Sequence, residues 1–274
     1  MVDYRTNEVI DILRSLINEE VELEIREVVK NNGVKLTGIM VKRPDCNIAP
    51  IMYITPDMDE LSAYDVASRL YLSYTRRDEP VITNFEWEDW KDHLKLKLIN
   101  TEYNKEILKD LVSFPFMELA AVPYIDMVDI SGTVNISHKL AKYWNKTPLE
   151  VFSKALDNVV ADGYLVKTMS DTIEELTGNT MPDIFGMYVV SNKDRALYGA
   201  VQMLNEHLFK DISEKLGDLY VIPSSIHELI VIPAELMDVD GVNEIIREVN
   251  STHIKPEEVL ADRVFLYKKD EGWI

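Results

Sequence analysis

Cysteine is almost absent from this chain of 274 residues, because Cys46 is its only cysteine. A single thiol can form neither an intramolecular disulfide nor a thiolate metal cluster. A chain of this length buries on the order of three quarters of its unfolded surface, so neither a disulfide nor a metal is required for folding. Free cysteine is typical of a reducing compartment, and we therefore expect a cytoplasmic protein.

Long hydrophobic runs are also lacking. The apolar run from Leu119 to Ile125 is far shorter than the roughly 20 residues that span a bilayer. The first residues, Met1 to Arg5, show neither the basic region nor the apolar region of a secretory signal. The sequence predicts no membrane association and no export.

Basic residues are in the minority: 29 lysines and arginines face 48 aspartates and glutamates, which gives a net charge of −19. This charge repels the phosphate backbone, so we expect no direct nucleic-acid binding. The acidic pairs are far apart in the chain, as Glu19-Glu20 and Glu257-Glu258 illustrate. Such a spread is typical of a solvated acidic surface.

Glycine is sparse, with 10 residues, and no glycine-rich phosphate loop or dinucleotide fingerprint occurs. The histidines have no metal-ligand spacing; they are His93, His138, His207, His227 and His253. The sequence therefore predicts no cofactor and no metal site.

Hydrophobic periodicity organises the first part of the chain. Apolar residues at helical spacing predict a helix over 6–18, and alternating residues around Asn31-Asn32-Gly33 predict a β-hairpin. A strand over 48–54, a helix over 57–76 and a strand over 93–99 follow, and this last strand alternates leucines with Lys95 and Lys97 on a predicted basic outer face. We interpret residues 1–110 as an N-terminal hairpin-plus-helix α+β unit.

The second part predicts a larger α/β unit over 111–274, with one continuous domain as the alternative. Thr147, Pro148 and Glu150 form a capping box before a helix that ends at Gly163. A strand over 187–190 precedes a helix capped by Asn192 and stopped before residue 217. Strands over 219–222 and 229–232, a helix over 242–249 and a last strand around 264–266 complete an α+β fold of mixed sheets packed with helices.

The candidate catalytic residues are Ser224, Ser225, His227 and Glu228, between two predicted strands. They supply the nucleophile, base and acid of a hydrolase within five positions. The strained serine turn of many hydrolases has glycines two residues on either side, whereas proline and isoleucine flank these serines. The alternative interpretation, a strand connection whose hydroxyls satisfy local backbone groups, is favoured.

Several segments together carry a family resemblance. They are residues 30–38 (KNNGVKLTG), 47–50 (NIAP), 223–228 (PSSIHE), 248–250 (EVN) and 256–260 (PEEVL). They are similar to a bacterial family known only as domain of unknown function 5688, over nearly the whole chain. The resemblance implies a bacterial cytoplasmic protein, common in gut anaerobes and often encoded near mobile genetic elements. It implies no activity and no catalytic residues.

Three functions remain open. We favour action through an unidentified protein partner, without covalent chemistry. The first alternative is an acidic mimic of DNA that inhibits a nucleic-acid enzyme, which the net charge of −19 and the mobile-element setting suggest. The second alternative is a hydrolase that uses the Ser224–Glu228 segment.

Overall fold

The computed structural model describes residues 4–44, 49–75, 85–127, 132–179, 182 and 186–274. The helices are α1 (Tyr4–Leu16), α2 (Ala63–Thr75), α3 (Trp87–Trp90), α4 (Lys105–Leu108), α5 (His138–Tyr143), α6 (Pro148–Asp162), α7 (Met169–Thr177), α8 (Glu206–Leu216) and α9 (Val239–Thr252). The strands are β1 (Glu22–Val29), β2 (Lys35–Lys42), β3 (Ile51–Ile54), β4 (Leu94–Asn100), β5 (Phe114–Phe116), β6 (Leu119–Met127), β7 (Gly132–Asn135), β8 (Tyr164–Thr168), β9 (Tyr188–Asn192), β10 (Leu219–Ile222), β11 (Leu229–Pro233), β12 (Phe265–Lys268) and β13 (Gly272–Trp273). This confirms the predicted α+β class.

The chain divides into two compact units, residues 1–89 with 127–132 and residues 90–126 with 133–274. The predicted boundary near residue 110 lies within the second of these units, between α4 and β5. Division of the chain into domains at residue 110 stays a prediction.

The first unit packs α1 and α2 on one face of the antiparallel sheet β1-β2-β3. Alternation places Ile39 and Val41 of β2 in this core, where they meet Leu13 of α1 and Val66 of α2. The hairpin turn uses positive φ angles at Asn32 (59°) and Gly33 (72°), residue types that tolerate this conformation. The predicted first helix and hairpin are confirmed.

Tyr74, Glu19 and Arg43 form a hydrogen-bonded triad in the first unit. The Tyr74 hydroxyl donates to Glu19 Oε1 at 2.6 Å and accepts from Arg43 Nε at 2.9 Å. Burial and the bond to Glu19 raise the pKa of Tyr74 to about 12. The phenol thus stays protonated and links the end of α2 to the segments that follow α1 and β2.

The second unit contains two sheets, and every described register in them is antiparallel. One has the order β4-β6-β5, with β7 also paired to β6, and the other has the order β13-β12-β10-β11-β9-β8. The 3₁₀ turn Gly199–Leu204 and α8 cover one face of the six-stranded sheet, where Phe209 packs beside Val221 and Val231. Through Val242 and Ile246, α9 covers part of the other face. The predicted pairing of β10 with β11 is confirmed.

The capping box of α6 forms as predicted. Thr147 Oγ1 accepts from the Glu150 backbone N–H at 3.2 Å, and the Glu150 carboxylate accepts from the Thr147 backbone N–H at 2.8 Å. Gly163, at φ 77°, ends the helix. The helix packs on β4, where the Asn158 amide donates to the carbonyls of Lys91 and Leu94.

One detail of the predicted elements is wrong, the helix cap at Asn192. Asn192 ends β9 instead of capping a helix. Its side-chain Nδ2 donates to the Leu197 backbone carbonyl, and its side-chain Oδ1 accepts from Gln202 Nε2. The helix begins at Glu206, and Asn205 caps it by accepting from Leu208 N. The third strand was predicted to start at Ile48, which lies outside the described residues, and β3 begins at Ile51.

In the part of the chain that the structure describes, none of the helices has the length and apolar composition needed to cross a bilayer.

We expect Tyr74→Phe to lower the free energy of unfolding by about 1 kcal/mol, because one hydrogen bond to Glu19 and one from Arg43 are lost. Urea unfolding measures this change. Tyr71→Phe is the control: it lies on the same helix, and its hydroxyl forms no hydrogen bond with the described residues. It should change stability by less than about 0.5 kcal/mol. Equal losses in the two variants would contradict the role of the triad.

Candidate functional site

The four predicted site residues lie in the turn that joins β10 to β11. Ser225 Oγ accepts from the His227 backbone N–H at 3.0 Å, and the Ser225 backbone N–H donates to the Glu228 carbonyl at 3.4 Å. The Ser224 backbone N–H donates to the Ile222 carbonyl at 2.9 Å. The hydroxyl of Ser225 therefore stabilises the turn, as serine hydroxyls do in short local motifs.

The imidazole of His227 contacts Tyr198 instead of a serine. Its Nδ1 accepts from the Tyr198 backbone N–H at 3.1 Å, and its ring stacks on the Tyr198 ring with 5.6 Å between centroids and 19° between planes. Because Nδ1 is the acceptor, the neutral ring carries its proton on Nε2. Burial lowers the pKa of His227, Glu258 opposes this effect and Lys255 adds to it.

The backbone at Tyr198 and Gly199 holds this turn in place. Tyr198 has a left-handed conformation with φ 55°, which is strained for a residue with a side chain. A Cβ on Gly199 would overlap the Ser191 hydroxyl and the His227 carbonyl oxygen, and would lie 2.7 Å from Ser191 Cα. The same Ser191 hydroxyl donates to the His227 carbonyl at 2.9 Å. Only glycine fits at position 199.

A buried lysine also lies against the ring of Tyr198. Lys97 is only 8% exposed, and its Nζ lies 4.8 Å from the centroid of the Tyr198 ring and 5.9 Å from that of Tyr124. The two tyrosine rings meet edge to face at 5.0 Å. Burial raises the pKa of both phenols, and nearby Asp126 acts in the same direction. Both tyrosines are thus neutral, with a lysine at their faces.

The predicted basic outer face of β4 is therefore wrong at Lys97. The predicted alternation is present, but the side of β4 and β6 that carries Lys97 and Tyr124 is covered by the segment that ends at Tyr198. Sequence alternation distinguishes the two faces of a strand but does not show that a later segment covers the second face.

An ion pair completes the group of polar residues. Arg195 Nη1 donates to the two oxygens of Asp126 at 2.9 and 3.2 Å, and the Asp126 side chain is 6% exposed. A small cavity of about 30 Å³ lies between these residues and the pair formed by Lys95 and Asp162. This volume is close to that of one water molecule, so the cavity has no room for an organic substrate.

We call Lys97, Tyr124, Asp126, Arg195, Tyr198 and His227 the tyrosine cluster. Only His227 belongs to the predicted site residues. Asp126 had a signal in the sequence, since it is a charged residue directly after the apolar run that ends at Ile125. Arg195 and Tyr198 had none, because the bond of Arg195 to Asp126 and the contact of Tyr198 with Tyr124 each span about 70 residues of sequence.

The chemistry of the tyrosine cluster is that of a polar core whose groups are already partnered and whose arginine reaches solvent. Its imidazole and its phenols are neutral, its buried carboxylate is paired with an arginine, and the Ser225 hydroxyl beside it is bonded to backbone. Catalysis by Ser224, Ser225, His227 and Glu228 stays a prediction. Among the described residues no group of three or more histidine, cysteine, aspartate or glutamate side chains could hold a metal ion.

The fold and this cluster define an α+β protein with a polar core inside its larger unit. The model of a family of unknown function, DUF5688, matches residues 4–269. The chain belongs to this family, and the resemblance inferred from its motifs is confirmed. Comparisons with curated proteins and with solved structures found no match.

We expect Gly199→Ala to destabilise the protein by about 3 kcal/mol or more, because the added methyl group overlaps atoms of Ser191 and His227. Gly178→Ala is the control: unlike Gly199, Gly178 has a positive φ, 71°, but a Cβ there has no neighbour within 4 Å. Gly178→Ala should lower the free energy of unfolding by only about 1 to 2 kcal/mol, because a residue with a side chain is strained in the left-handed conformation. Thermal and urea unfolding measure the loss of stability in both variants. Equal losses would contradict the close packing at Gly199.

We expect His227→Asn to remove a pH dependence of stability. The asparagine Oδ1 can replace Nδ1 as acceptor for the Tyr198 N–H. Because the folded-state pKa of His227 is lowered, its contribution is fully present above the unfolded pKa of about 6.5 and is lost as the pH falls through the folded value. Urea unfolding between neutral and mildly acidic pH should therefore show a steeper loss in the parent protein.

The control for this experiment is His207→Asn, at an exposed position of α8. Its stability should follow that of the parent protein as the pH is lowered. Parallel curves for the parent and His227→Asn would contradict the assigned role of the buried imidazole.

Proposed function

We propose that this protein is a protein-binding module of the bacterial cytoplasm and that the solvent-facing side of α9 contacts its partner. The observation that carries the proposal is an exposed apolar strip beside a row of carboxylates that have no ion pair with described residues. We call Asp240, Glu244, Ile245, Glu248 and Val249 the α9 surface.

Side-chain hydrogen bonds attach one side of α9 to residues 261–264. Asn243 Oδ1 accepts from the Val264 backbone N–H at 2.8 Å, and the Asn250 amide donates to the Ala261 carbonyl at 3.0 Å and to Asp262 at 2.8 Å. These bonds, together with buried Val242 and Ile246, fix which side of α9 faces solvent. The α9 surface is therefore presented in a defined orientation.

The apolar part of this surface is a pair of side chains one helical turn apart. Ile245 is 50% exposed and Val249 is 37% exposed. Further exposed apolar residues, Leu236, Met237 and Val239, lie at the beginning of the helix and directly before it. Clustered apolar exposure is a feature of interaction sites, whereas single exposed residues are common everywhere.

The acidic part is a row of carboxylates at positions i, i+4 and i+8. Asp240, Glu244 and Glu248 are exposed and form no ion pair with any residue in the described ranges. Like charges at this spacing destabilise a helix by about 0.2 to 0.5 kcal/mol per pair, and Glu248 lies near the carboxyl end, where the helix dipole disfavours a carboxylate. A cationic partner would convert this unfavourable charge into binding energy.

The surface therefore fits an amphipathic basic segment, with aliphatic side chains against Ile245 and Val249 and lysines or arginines against the carboxylate row. The net charge of −19 supports the same assignment, because it attracts basic segments and accelerates their association. It disfavours a nucleic acid as the direct partner.

The two other functions receive less support. Catalysis at the Ser224–Glu228 turn would have to break the bond between Ser225 Oγ and the His227 N–H and the bond between Tyr198 and Nδ1. A DNA mimic would present a continuous acidic stripe, whereas outside the carboxylate row of α9 many carboxylates are paired with cations, as in the pairs of Lys42 with Glu24 and of Lys154 with Asp92. We therefore favour binding through the α9 surface over catalysis and over DNA mimicry.

We expect capture of a partner from a bacterial lysate to depend on the α9 surface. The double variant Ile245→Ser, Val249→Ser should weaken capture by about tenfold, since it removes the apolar contact. The double variant Glu244→Gln, Glu248→Gln should weaken capture at low salt and change it little at high salt, where charges are screened. Mass spectrometry identifies and quantifies the captured protein.

Two variants serve as controls: Leu149→Ser, at an exposed apolar position of α6, and Glu214→Gln, at an exposed position of α8. Both should capture the partner like the parent protein. Equal capture by all variants would overturn the proposal. A captured nucleic-acid enzyme that is released by salt and unaffected by the changes at Ile245 and Val249 would establish the mimic instead.

A further inference from the structure

The first unit contains a pocket that the protein-binding proposal does not use. It lies between the start of α1, the turn end of the β1-β2 hairpin and the connection from β3 to α2. Its volume is about 420 Å³, which is within the range of small-molecule sites in proteins. All of its lining residues belong to this unit.

The inner wall of the pocket is apolar. Val9 of α1 and Val66 of α2 are fully buried, and Ile25 of β1 and Ile54 of β3 are partly buried. These side chains offer an aliphatic surface to a ligand, and an apolar group placed there is removed from water.

Three polar side chains lining the pocket have no hydrogen-bond partner among the described residues. They are Thr6, Thr37 and Asp59. Thr6 is only 9% exposed as a residue, but its hydroxyl oxygen is not one of the buried atoms that lack a partner, so the oxygen is accessible from the pocket. An accessible hydroxyl that lines a cavity and has no protein partner is available to a bound molecule.

The cationic side chains of the pocket are already engaged. Arg5 Nη2 donates to the carbonyls of Met58 and Leu61 at 2.5 and 2.7 Å, and Lys35 Nζ donates to Glu27 at 2.9 Å. The carbonyl bonds orient the Arg5 guanidinium but leave its positive charge, whereas Glu27 neutralises Lys35. The acidic group that the pocket offers to a ligand is the exposed carboxylate of Asp59, which has no ion pair with a described residue. The pocket offers acceptors and hydroxyls but no unengaged cation within its described lining.

We propose that this pocket binds a small organic cation, an ammonium group carried on an apolar body. The ammonium donates to Asp59 and to the threonine hydroxyls, and the body packs against Val9, Ile25, Ile54 and Val66. An ammonium has three donors and no acceptor, which matches this set of acceptors. The net charge of −19 favours cations at the pocket and opposes anions.

The test uses the full-length protein and three probes of equal chain length: hexylammonium, hexanol and hexanoate. Binding is followed by NMR chemical-shift changes of the backbone amides during titration. We expect hexylammonium to bind saturably in the millimolar range, with shifts centred on Thr6, Thr37 and Asp59. Hexanol should bind several-fold more weakly and hexanoate should not bind.

Matched variants separate the pocket from the general charge of the protein. Asp59→Asn should weaken hexylammonium binding by about fivefold. Glu60→Gln removes the same charge one residue away, at an exposed position outside the pocket lining, and should leave binding unchanged. Thr6→Val keeps the size of the side chain but removes the hydroxyl, and should weaken binding by about threefold.

Three results would overturn the proposal: no saturable binding of hexylammonium, hexanoate binding as tight as that of hexylammonium, or equal losses in Asp59→Asn and Glu60→Gln. Circular dichroism of each variant establishes that it is folded. The capture experiment on the α9 surface concerns the other unit of the chain, so either proposal can fail without the other.

Discussion

The close approach of the Gly199 backbone to the turn between β10 and β11 is the contact around which the larger unit is arranged. It places the Tyr198 N–H against the His227 imidazole and the Ser191 hydroxyl against the His227 carbonyl. With that backbone fixed, the Tyr198 ring contacts both the imidazole and Lys97. The left-handed conformation of Tyr198 is strained, and these surrounding contacts are what maintain it.

Burial of polar groups in this unit is tolerated because the groups meet one another. Asp126 has Arg195, the His227 ring has a backbone donor, and Gln202 donates to Asn192. An unsatisfied buried group would cost about 1 to 3 kcal/mol. Trp273 is the contrast, since its buried indole N–H has no acceptor among the described residues while its ring packs against Phe209 at 4.7 Å. Aromatic packing offsets that cost.

The fold was predictable from the sequence where local signals determine structure. The Asn32-Gly33 turn, the Thr147–Glu150 capping box and the paired apolar runs of β10 and β11 act within a few residues, and all three formed as predicted. The tyrosine cluster was not predictable, because Asp126 and Arg195 are distant in sequence. Burial of Lys97 depends on a segment about 100 residues later, so a period-two pattern could not reveal it.

The distribution of satisfied and unsatisfied polar groups supports the two binding places proposed for this chain. Within the tyrosine cluster the carboxylate, the imidazole and the neighbouring serine hydroxyl already have partners, and the adjacent cavity has the volume of about one water. A ligand there would have to break existing bonds. At Asp59 and along Asp240, Glu244 and Glu248, carboxylates lie beside apolar side chains without an ion pair in the described chain. New contacts at those two places would add bonds without removing any, so binding energy is available there and not in the polar core.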